Sequence, residues 1–522
     1  MERNPLHDLT NDELIALILE MREQMAEAAR RHREQAQRNA ELAKKIAEQA
    51  EQIAEQEKQN AEQARRIEEL EKRNPTPRLD ESYSMKAEEK RQADAAPGGT
   101  SGRKKQNSKR RGRISTAEKL AKATVHEDIW PFPYLLDACR LKYSRPVWRI
   151  INGRAVLIAY HIYAGPDGQV PQIPGVPKRS EFGQEIFAAL SWQHYIVGLS
   201  LDKVIAEQSF FWELELSKSQ ADSLLNQLAK VWLPEFDALC QLLAVSAVVY
   251  ADETSWSINS VWTFLSERVR LTIFGCHKDG DTLAVLLNKD EFKGIVVSDD
   301  AAVYQGFDRA QKCWAHLIRK AIRLTLLKPN RPRYRRFLDE LVDIYRRGKA
   351  IAADKRLSEA GRRKRVEELV AGICDCTGAR FADESTPKDD AERDFFNLTH
   401  EIVRLLGEDE LFTYAIYPEA AGTNNESERE LRDPAQDRVT GQTNKTVPGC
   451  RRRTVITSVL NSLRLHVKQF TLQTVLAELT RWQQAGISCF RHAVASLAIP
   501  PPRLPDKIKS PLELLVPLPT GE

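Results

Sequence analysis

Hydrophobic and polar positions in the first part of the chain repeat every seven residues. Thr10 and Glu13 have the spacing of a capping box, and no Gly or Pro follows before Arg73 is reached. Two positions of each heptad form a weak, glutamine-rich seam: Met25, His32, Asn39, Ile46, Ile53, Asn60 and Ile67, with Ala28, Gln35, Leu42, Gln49, Gln56, Gln63 and Leu70. Asn at a seam position fixes the register and favours a dimer at a cost in stability. Residues 1–74 are therefore predicted to form a coiled-coil helix, with a solvated single helix as the alternative.

Prolines end this pattern, and the segment after them has the composition of a linker. Pro75 and Pro77 cannot continue a helix, and the following residues are rich in Gly, Ser, Lys and Arg. Residues 75–125 are predicted to be a disordered basic linker. Seven basic residues and no acid occupy its most charged part: Arg103, Lys104, Lys105, Lys109, Arg110, Arg111 and Arg113. We interpret this run as DNA-binding, and a solvated tail is the alternative.

Residues 126–240 combine one strand pattern with several helical patterns. Val156–Tyr160 is an apolar run followed by turn residues, which is typical of a strand. Helical spacing resumes at Glu181, and the segments Leu199–Ala206 and Leu216–Leu225 predict two helices joined by a turn. This pair fits either a helix-turn-helix that reads a DNA groove or an ordinary helical hairpin. We interpret the region as a helical DNA-binding or accessory region.

Two apolar strand patterns farther along the chain each end in a carboxylate. Asp252 follows Ala247–Ala251, and Asp299 follows Gly294–Ser298. Burying a charge at a strand end is costly unless it is compensated. If the two strands are parallel neighbours, both acids come within reach of one metal ion, which would relieve their repulsion. Taken alone, Asp252 also fits an ordinary turn residue.

A third acid must come from another segment. Thr423–Arg432 is polar and helical in pattern, and it contains both Glu426 and Glu428. Glu428 and Arg432 lie on one helix face, which is also the pattern of a surface salt bridge. Spacing alone does not choose between the two glutamates.

Helical patterns and basic residues fill the chain between Asp299 and Glu428. Leu338, Leu341 and Ile344 supply an apolar helix face. The first half of the segment is rich in arginine: Arg331, Arg333, Arg335, Arg336, Arg346, Arg347, Arg362, Arg363 and Arg365. We interpret it as a helical insertion that clamps DNA, with Tyr334 as a candidate for stacking on a base. A solvated helical surface is the alternative.

Composition narrows the class of protein. Of 522 residues, 42% are apolar and 29% are charged, and the net charge of +4 does not by itself identify a nucleic-acid binder. Eight scattered cysteines without a Cys-x-x-Cys pair indicate reduced thiols rather than a disulfide framework. Neither a signal segment nor an apolar stretch long enough to span a bilayer is present in the sequence. We therefore expect a cytoplasmic protein without membrane contact.

Four ordered motifs carry a resemblance to a known family. They are Asp252-Glu253-Thr254-Ser255-Trp256, Ser298-Asp299 with Tyr304, Cys313-Trp314-Ala315-His316 with Arg319, and Asn424-Asn425-x-x-Glu428-Arg429-x-x-Arg432. With these motifs the chain resembles transposases of the insertion-sequence-66 family. The resemblance implies a ribonuclease-H-like fold with an Asp-Asp-Glu (DDE) active site, and it selects Glu428 over Glu426 as the third acid.

The predicted fold class is α/β, and the resemblance gives it an arrangement of domains. A ribonuclease-H-like mixed-sheet core is expected in residues 241–327 and 411–485. The helical insertion occupies residues 328–410, and a C-terminal tail, extended in its Pro-rich part, occupies residues 486–522. The coiled-coil helix and the basic linker precede this core.

The resemblance also implies an activity and its partners. The chain would cut DNA at the ends of an insertion sequence and join them to target DNA. Asp252, Asp299 and Glu428 would be catalytic residues and ligands of two Mg²⁺ ions, with Mn²⁺ as the alternative ion. Arg429 and Arg432 would bind DNA. The expected partners are the terminal repeats, target DNA, further copies of the chain in a homodimer or higher oligomer, and helper proteins, in a bacterial, nucleoid-associated location. A catalytically inactive DNA-binding regulator and a structure-specific nuclease are the alternative functions.

Two departures from the family pattern affect these expectations. Family members commonly carry a cysteine-rich zinc module before the core, but the corresponding region here offers only His126 and Cys139, so no zinc is expected. Asp300 stands where a Gly usually follows the second Asp, and it adds a charge beside the site. Cys313 and His316 are interpreted as supporting residues that pack or hydrogen-bond, because two ligands alone rarely hold zinc.

Overall fold

A computed structural model describes residues 114–132, 136–378 and 387–518. The predicted coiled coil of residues 1–74 and the seven basic residues between 103 and 113 lie outside these ranges. All described residues belong to one structural unit, Gly112–Glu522. It is an α/β unit with mixed sheets.

Eight strands and a series of helices make up the described part of the chain. The strands are β1 (Val125–Ile129), β2 (Arg140–Ile151), β3 (Arg154–Ala164), β4 (Val248–Ser255), β5 (Ser260–Leu265), β6 (Arg270–Cys276), β7 (Ile295–Ser298) and β8 (Ala310–Lys312). The helices are α1 (Thr116–Ala121), α2 (Gln184–Ser191), α3 (Leu201–Trp212), α4 (Lys218–Ala244), α5 (Gly280–Ala284), α6 (Trp314–Leu327), α7 (Pro332–Ala353), α8 (Glu359–Gly378), α9 (Asp390–Gly407), α10 (Thr413–Ile416), α11 (Asn425–Glu430), α12 (Arg432–Val439), α13 (Val447–His466), α14 (Leu472–Ala485), α15 (Cys489–Ser496) and α16 (Pro511–Leu515). Among the described residues, no helix combines the length and apolar character needed to cross a membrane.

Residues 114–164 correct two predictions. The end of the predicted disordered linker is ordered, because Ser115 and Glu118 form a capping box that starts α1. The region predicted as helical over residues 126–240 begins instead with a sheet of order β1-β3-β2. Its strands β2 and β3 form an antiparallel hairpin whose turn residues, Asn152 and Gly153, both have positive φ. A tight hairpin turn of this kind favours Asn-Gly, so the sequence did carry a signal for it.

The five-stranded sheet forms the centre of the unit. Its order is β6-β5-β4-β7-β8. Strands β6, β5 and β4 are antiparallel neighbours, whereas β4, β7 and β8 run parallel. The two strand patterns predicted from the sequence, Ala247–Ala251 and Gly294–Ser298, coincide with parts of β4 and β7. A mixed sheet flanked by helices is compatible with a ribonuclease-H-like core.

Helix α13 covers the edge of this sheet that β6 forms. Hydroxyl groups spaced one helical turn apart accept hydrogen bonds from alternate backbone N–H groups of β6. The pairs are Thr454 with Phe274 at 2.9 Å, Ser458 with Thr272 at 3.0 Å and Ser462 with Arg270 at 2.9 Å. An edge strand normally presents unpaired N–H groups on which another chain can add a strand. The row of hydroxyls on α13 satisfies them internally.

The helical insertion has its own apolar core, built from α6 to α10. Buried Trp314, Leu317 and Leu324 of α6 belong to this core, so the insertion starts before the predicted residue 328. Tyr334 is only 1% exposed, which contradicts its proposed role in stacking on a base. The two ends of the insertion are joined at its base by backbone hydrogen bonds: Lys312 N–H donates to Glu410 O at 2.9 Å, and Trp314 N–H donates to Gly422 O at 3.0 Å.

The C-terminal segment corrects the prediction of a tail over residues 486–522. Phe490 of α15 is fully buried, and Leu512 and Leu515 of α16 are also buried in the main core. Both helices have Ser N-caps, Ser488 and Ser510. The segment packs because these few large apolar side chains fill space beside α4. The high proline content of the sequence hid this packing and suggested an extended tail.

Candidate active site

Strands β4 and β7 bring two predicted acids together. Asp299 directly follows the end of β7, as predicted, whereas Asp252 lies within β4, which continues to Ser255 beside β5. In the parallel pairing of these strands, Val248 lies opposite Ile295 and Tyr250 lies opposite Val297. The same offset, 295 − 248 = 47 residues, places Asp252 level with Asp299. Neighbouring parallel strands lie about 4.8 Å apart. The two carboxylates therefore sit side by side at one edge of the sheet.

The pKa of Asp252 reflects this crowding. Burial, and then the negative charges of Asp299, Glu253 and Glu428, raise the pKa of Asp252 to about 7, against one opposing backbone hydrogen bond from Glu253. A carboxyl group that is buried among other acids holds its proton unless a positive charge compensates it. The arrangement is thus electrostatically suited to a cation.

Glu428 lies on α11 beside these strand ends and is held from α6. Arg319 donates to both carboxylate oxygens of Glu428, at 2.5 and 3.3 Å, and His316 Nε2 lies 3.7 Å from Oε1. Glu426 points elsewhere and pairs with Arg270. The structure therefore places Glu428, and not Glu426, on the side of the helix that faces the motif residues of α6.

Asn424 joins the three segments that carry the site. It is fully buried, and its Nδ2 donates to Ala251 O on β4 at 2.8 Å. Its backbone N–H donates to the Sγ of Cys313 at 3.1 Å, and its side-chain oxygen accepts from Ser427. One buried amide thus fixes the start of α11 against β4, the strand that carries Asp252.

A second buried network was not found by the sequence analysis. The Glu253 side chain is 3% exposed, and it accepts from the hydroxyl of Tyr304 and pairs with Lys278. The Lys278 ammonium is 54% exposed, and Asp299 and Asp252 contribute to the raised pKa of this lysine after its hydrogen bond to Glu253. Glu253 points to the face opposite Asp252, as strand alternation predicts. Its ion pair nevertheless holds the Lys278 ammonium close enough to Asp299 and Asp252 for their charges to act on it. No local pattern around Lys278 could have indicated this.

The extra acid at position 300 is compensated by long-range partners. Asp300 pairs with Arg404 of α9, which also contacts Glu408 at 2.6 Å. Beneath it, the Lys312 ammonium is 1% exposed and lies 3.8 Å from Glu410 and 3.4 Å from the Ser298 hydroxyl. Burial lowers the pKa of Lys312. These cations offset the charge that the sequence analysis regarded as a disturbance.

An open cleft of about 670 Å³ lies beside Asp299 and is lined by residues of the core and of the insertion: Asp299, Asp300, His316, Lys320, His400 and Arg404. Arg429 and Arg432 are exposed and form no ion pair among the described residues. Many arginines of the insertion are neutralised by acids, which favours a solvated surface over a clamp: Arg331, Arg333, Arg335, Arg347, Arg363 and Arg365.

The acids at the strand ends fit a divalent metal ion in their chemistry. Asp252 and Asp299 offer hard oxygen donors, and the raised pKa of Asp252 is the strain that a cation would relieve. Glu428 is turned toward α6 instead. In the described part of the chain, the three candidate ligand atoms that lie within 4.8 Å of one another belong to Cys313, His316 and Glu428. Joint binding by the three acids requires Glu428 to turn away from Arg319.

Comparison with known proteins gives the family. The family model described as Transposase IS66 family matches residues 179–451, which is just over half of the chain. The chain belongs to the IS66 transposase family. The match spans α2 to the start of α13 and includes all three acids as well as the helical insertion. Among curated proteins, no match to the chain was found.

Membership of the IS66 transposase family supports a role in transposition and implies DNA as the substrate. The family match also spans Lys278, Lys312 and Arg404, whose contacts only the structure reveals.

Proposed function

We propose that this chain is a DDE-type DNA transposase with a ribonuclease-H-like core, which cuts the ends of an insertion sequence and joins them to target DNA. The observation that carries the proposal is the pairing of β4 with β7, which brings Asp252 level with Asp299. The strand order, in which β6, β5 and β4 are antiparallel neighbours and β7 and β8 continue the sheet parallel to β4, further supports a ribonuclease-H-like core.

Each acid has a role that follows from its surroundings. We assign Asp252, Asp299 and Glu428 as ligands of Mg²⁺, with Mn²⁺ as the alternative ion. A bound pair of such ions activates a nucleophile and stabilises the attacking and leaving oxygens of phosphoryl transfer. Arg319 holds the Glu428 carboxylate beside the site through an ion pair. The hydrogen bond from Asn424 to Ala251 fixes the distance between α11 and β4.

Cations around the acids suit a polyanionic substrate. Lys278 presents an exposed ammonium group beside Asp252 and Asp299. Arg429 of α11 and Arg432 of α12 are exposed and form no ion pair among the described residues. Together with the basic residues between 103 and 113, they would contact phosphates of terminal repeats and target DNA. Pairing of two DNA ends is consistent with the proposed homodimer or higher oligomer.

A joining assay tests the proposed reaction. The full-length protein is incubated with Mg²⁺, DNA carrying both flanks of its coding region, and a supercoiled target plasmid. We expect cleavage that frees a 3′-hydroxyl at each end, followed by covalent joining to the plasmid. Cleavage without joining would instead identify a structure-specific nuclease. DNA binding with neither reaction, in Mg²⁺ and in Mn²⁺, would identify a regulator.

Replacing Arg432 by alanine should weaken binding to all DNA sequences to a similar extent. An exposed arginine that meets a phosphate contributes about 0.9 to the slope of log K against log salt concentration, so the slope should fall by about that amount. Fluorescence anisotropy at several salt concentrations measures it. Arg335→Ala is the matched control, since Arg335 is exposed but already paired with Asp339 at 2.9 Å. An equal change in both variants would exclude a specific phosphate contact by Arg432.

A further inference from the structure

Three side chains from two helices converge beside the strand ends. Cys313 precedes α6, His316 lies in its first turn, and Glu428 lies on α11. One ligand atom from each, the thiol sulfur, an imidazole nitrogen and a carboxylate oxygen, lies within 4.8 Å of the other two. His316 Nε2 lies 3.7 Å from Glu428 Oε1, the other ring nitrogen, Nδ1, is buried without a hydrogen-bond partner among the described residues, and Cys313 is 2% exposed. A buried polar atom without a partner calls for an explanation such as an ion.

We propose that Cys313, His316 and Glu428 form a zinc site. Sulfur, nitrogen and carboxylate oxygen are the donors that Zn²⁺ takes in proteins, and three protein ligands leave a fourth position open to water. In a tetrahedral zinc complex with these donors, the ligand atoms lie about 3.4–3.6 Å apart. At most 4.8 Å separates any two of the ligand atoms, so the cluster would close by up to about 1.4 Å on binding.

Burial raises the pKa of the Cys313 thiol, so a thiolate there needs a cation beside it, and two features of the surroundings would support one. The backbone N–H of Asn424 donates to Cys313 Sγ at 3.1 Å, and such outer hydrogen bonds stabilise and orient metal ligands. Cys313 is also the N-terminal cap residue of the 14-residue helix α6, whose partial positive charge favours an anion at this position. A thiolate and a carboxylate together balance the charge of Zn²⁺.

This site reverses the expectation from the sequence that no zinc binds. For the region of His126 and Cys139 the expectation is unaffected; for Cys313 and His316 it rested on the rule that two ligands alone rarely hold zinc. The third ligand comes from more than 100 residues away, through the packing of α11 on α6. Magnesium fits the same cluster poorly, because it prefers oxygen ligands.

Zinc at this position would couple α6 to α11 through Glu428. Arg319 now holds that carboxylate, and a zinc ion would take over one of its oxygens. The site is distinct in its ligands from the pair Asp252 and Asp299, but it shares the acid on which the proposed reaction depends. Its occupancy therefore sets where Glu428 points.

Metal analysis of the full-length protein, freed of any affinity tag, tests the site. We expect one zinc per chain, and after exchange for Co²⁺ an absorption band from cobalt–thiolate coordination. Cys313→Ser should abolish the band, and both Cys313→Ser and His316→Ala should weaken zinc binding at least about 100-fold. Cys374→Ser is the matched control, because Cys374 is an exposed cysteine on α8 and should change neither result.

Two results would contradict the zinc site. Absence of a saturable zinc site in the wild type, or equal metal loss in Cys313→Ser and Cys374→Ser, would overturn the proposal. His316→Ala tests the site independently of Cys313, since the histidine side chain is 39% exposed and its removal disturbs the core little. Metal is measured without DNA, so this outcome is separate from the proposed reaction: Asp252→Asn should lose cleavage and keep its zinc.

Discussion

Asp252→Asn should abolish DNA cleavage and strand transfer, by at least about 1,000-fold, without unfolding the protein. Removing an anionic ligand costs more than the 10–100-fold typical of outer-shell changes around a metal, because the charge that holds the ion is lost. The fold should tolerate the change, since burial and neighbouring acids already raise the pKa of Asp252 to about 7 and make its charge costly. The asparagine oxygen can still accept the 2.9 Å hydrogen bond from Glu253 N–H.

End cleavage on labelled DNA, thermal unfolding and DNA affinity are the measurements for this variant. Asp308→Asn is the matched control: the same chemical change at an exposed aspartate, paired with Lys293 at 3.1 Å, should leave cleavage within about twofold of the wild type. Cleavage by Asp252→Asn at more than a tenth of the wild-type rate would remove Asp252 from the catalytic set.

Arg453→Ala should lower the free energy of unfolding by about 3–5 kcal/mol, because it leaves a buried carboxylate without its partner. Arg453 is 6% exposed and pairs with the buried carboxylate of Asp437 on α12. Its Nη1 also donates to Gln442 O at 3.1 Å. The guanidinium lies over the rings of Phe274 and Trp256, at 4.5 and 5.2 Å from their centroids. Such stacking adds a further stabilising contribution.

Urea unfolding followed by tryptophan fluorescence measures this loss. Arg335→Ala, which removes an exposed ion pair, should change the free energy by less than about 1 kcal/mol. Adding Asp437→Asn to Arg453→Ala should recover part of the stability, since the orphaned charge disappears. If Arg453→Ala and Arg335→Ala lowered the free energy of unfolding by similar small amounts, the Arg453–Asp437 pair would not be buried in solution.

The acids at the strand ends could be predicted because their signal is local. An apolar run followed by a carboxylate identifies both Asp252 and Asp299 within a few residues of sequence. Glu428 could not be chosen over Glu426 by spacing, because the choice depends on Arg319 and Arg270, which reach the two glutamates from distant segments. The resemblance to a family supplied what periodicity lacked.

Errors in the sequence analysis came from segments whose order depends on distant partners. Composition made residues 116–124 resemble a linker, although Ser115 and Glu118 form a local capping box and Lys119 of the helix pairs with the distant Glu181. Prolines made the C-terminal segment resemble a tail, although Phe490 and Leu515 are buried in the main core. The compensation of Asp300 by Arg404 was equally invisible, since 104 residues separate the pair.

The hydrogen bonds that close the base of the insertion, Lys312 to Glu410 and Trp314 to Gly422, give the active site independence from the length of the chain between its acids. Once the base is closed, the segment beyond it is a loop whose entropy of closure rises by only about 0.6 kcal/mol for each doubling of length. Chain length beyond the base could therefore change at small entropic cost, provided that Arg319 of α6 and Arg404 of α9 keep their ion pairs with Glu428 and Asp300. The parts of the insertion away from these two contacts are thus the freest to diverge, or to be exchanged by design.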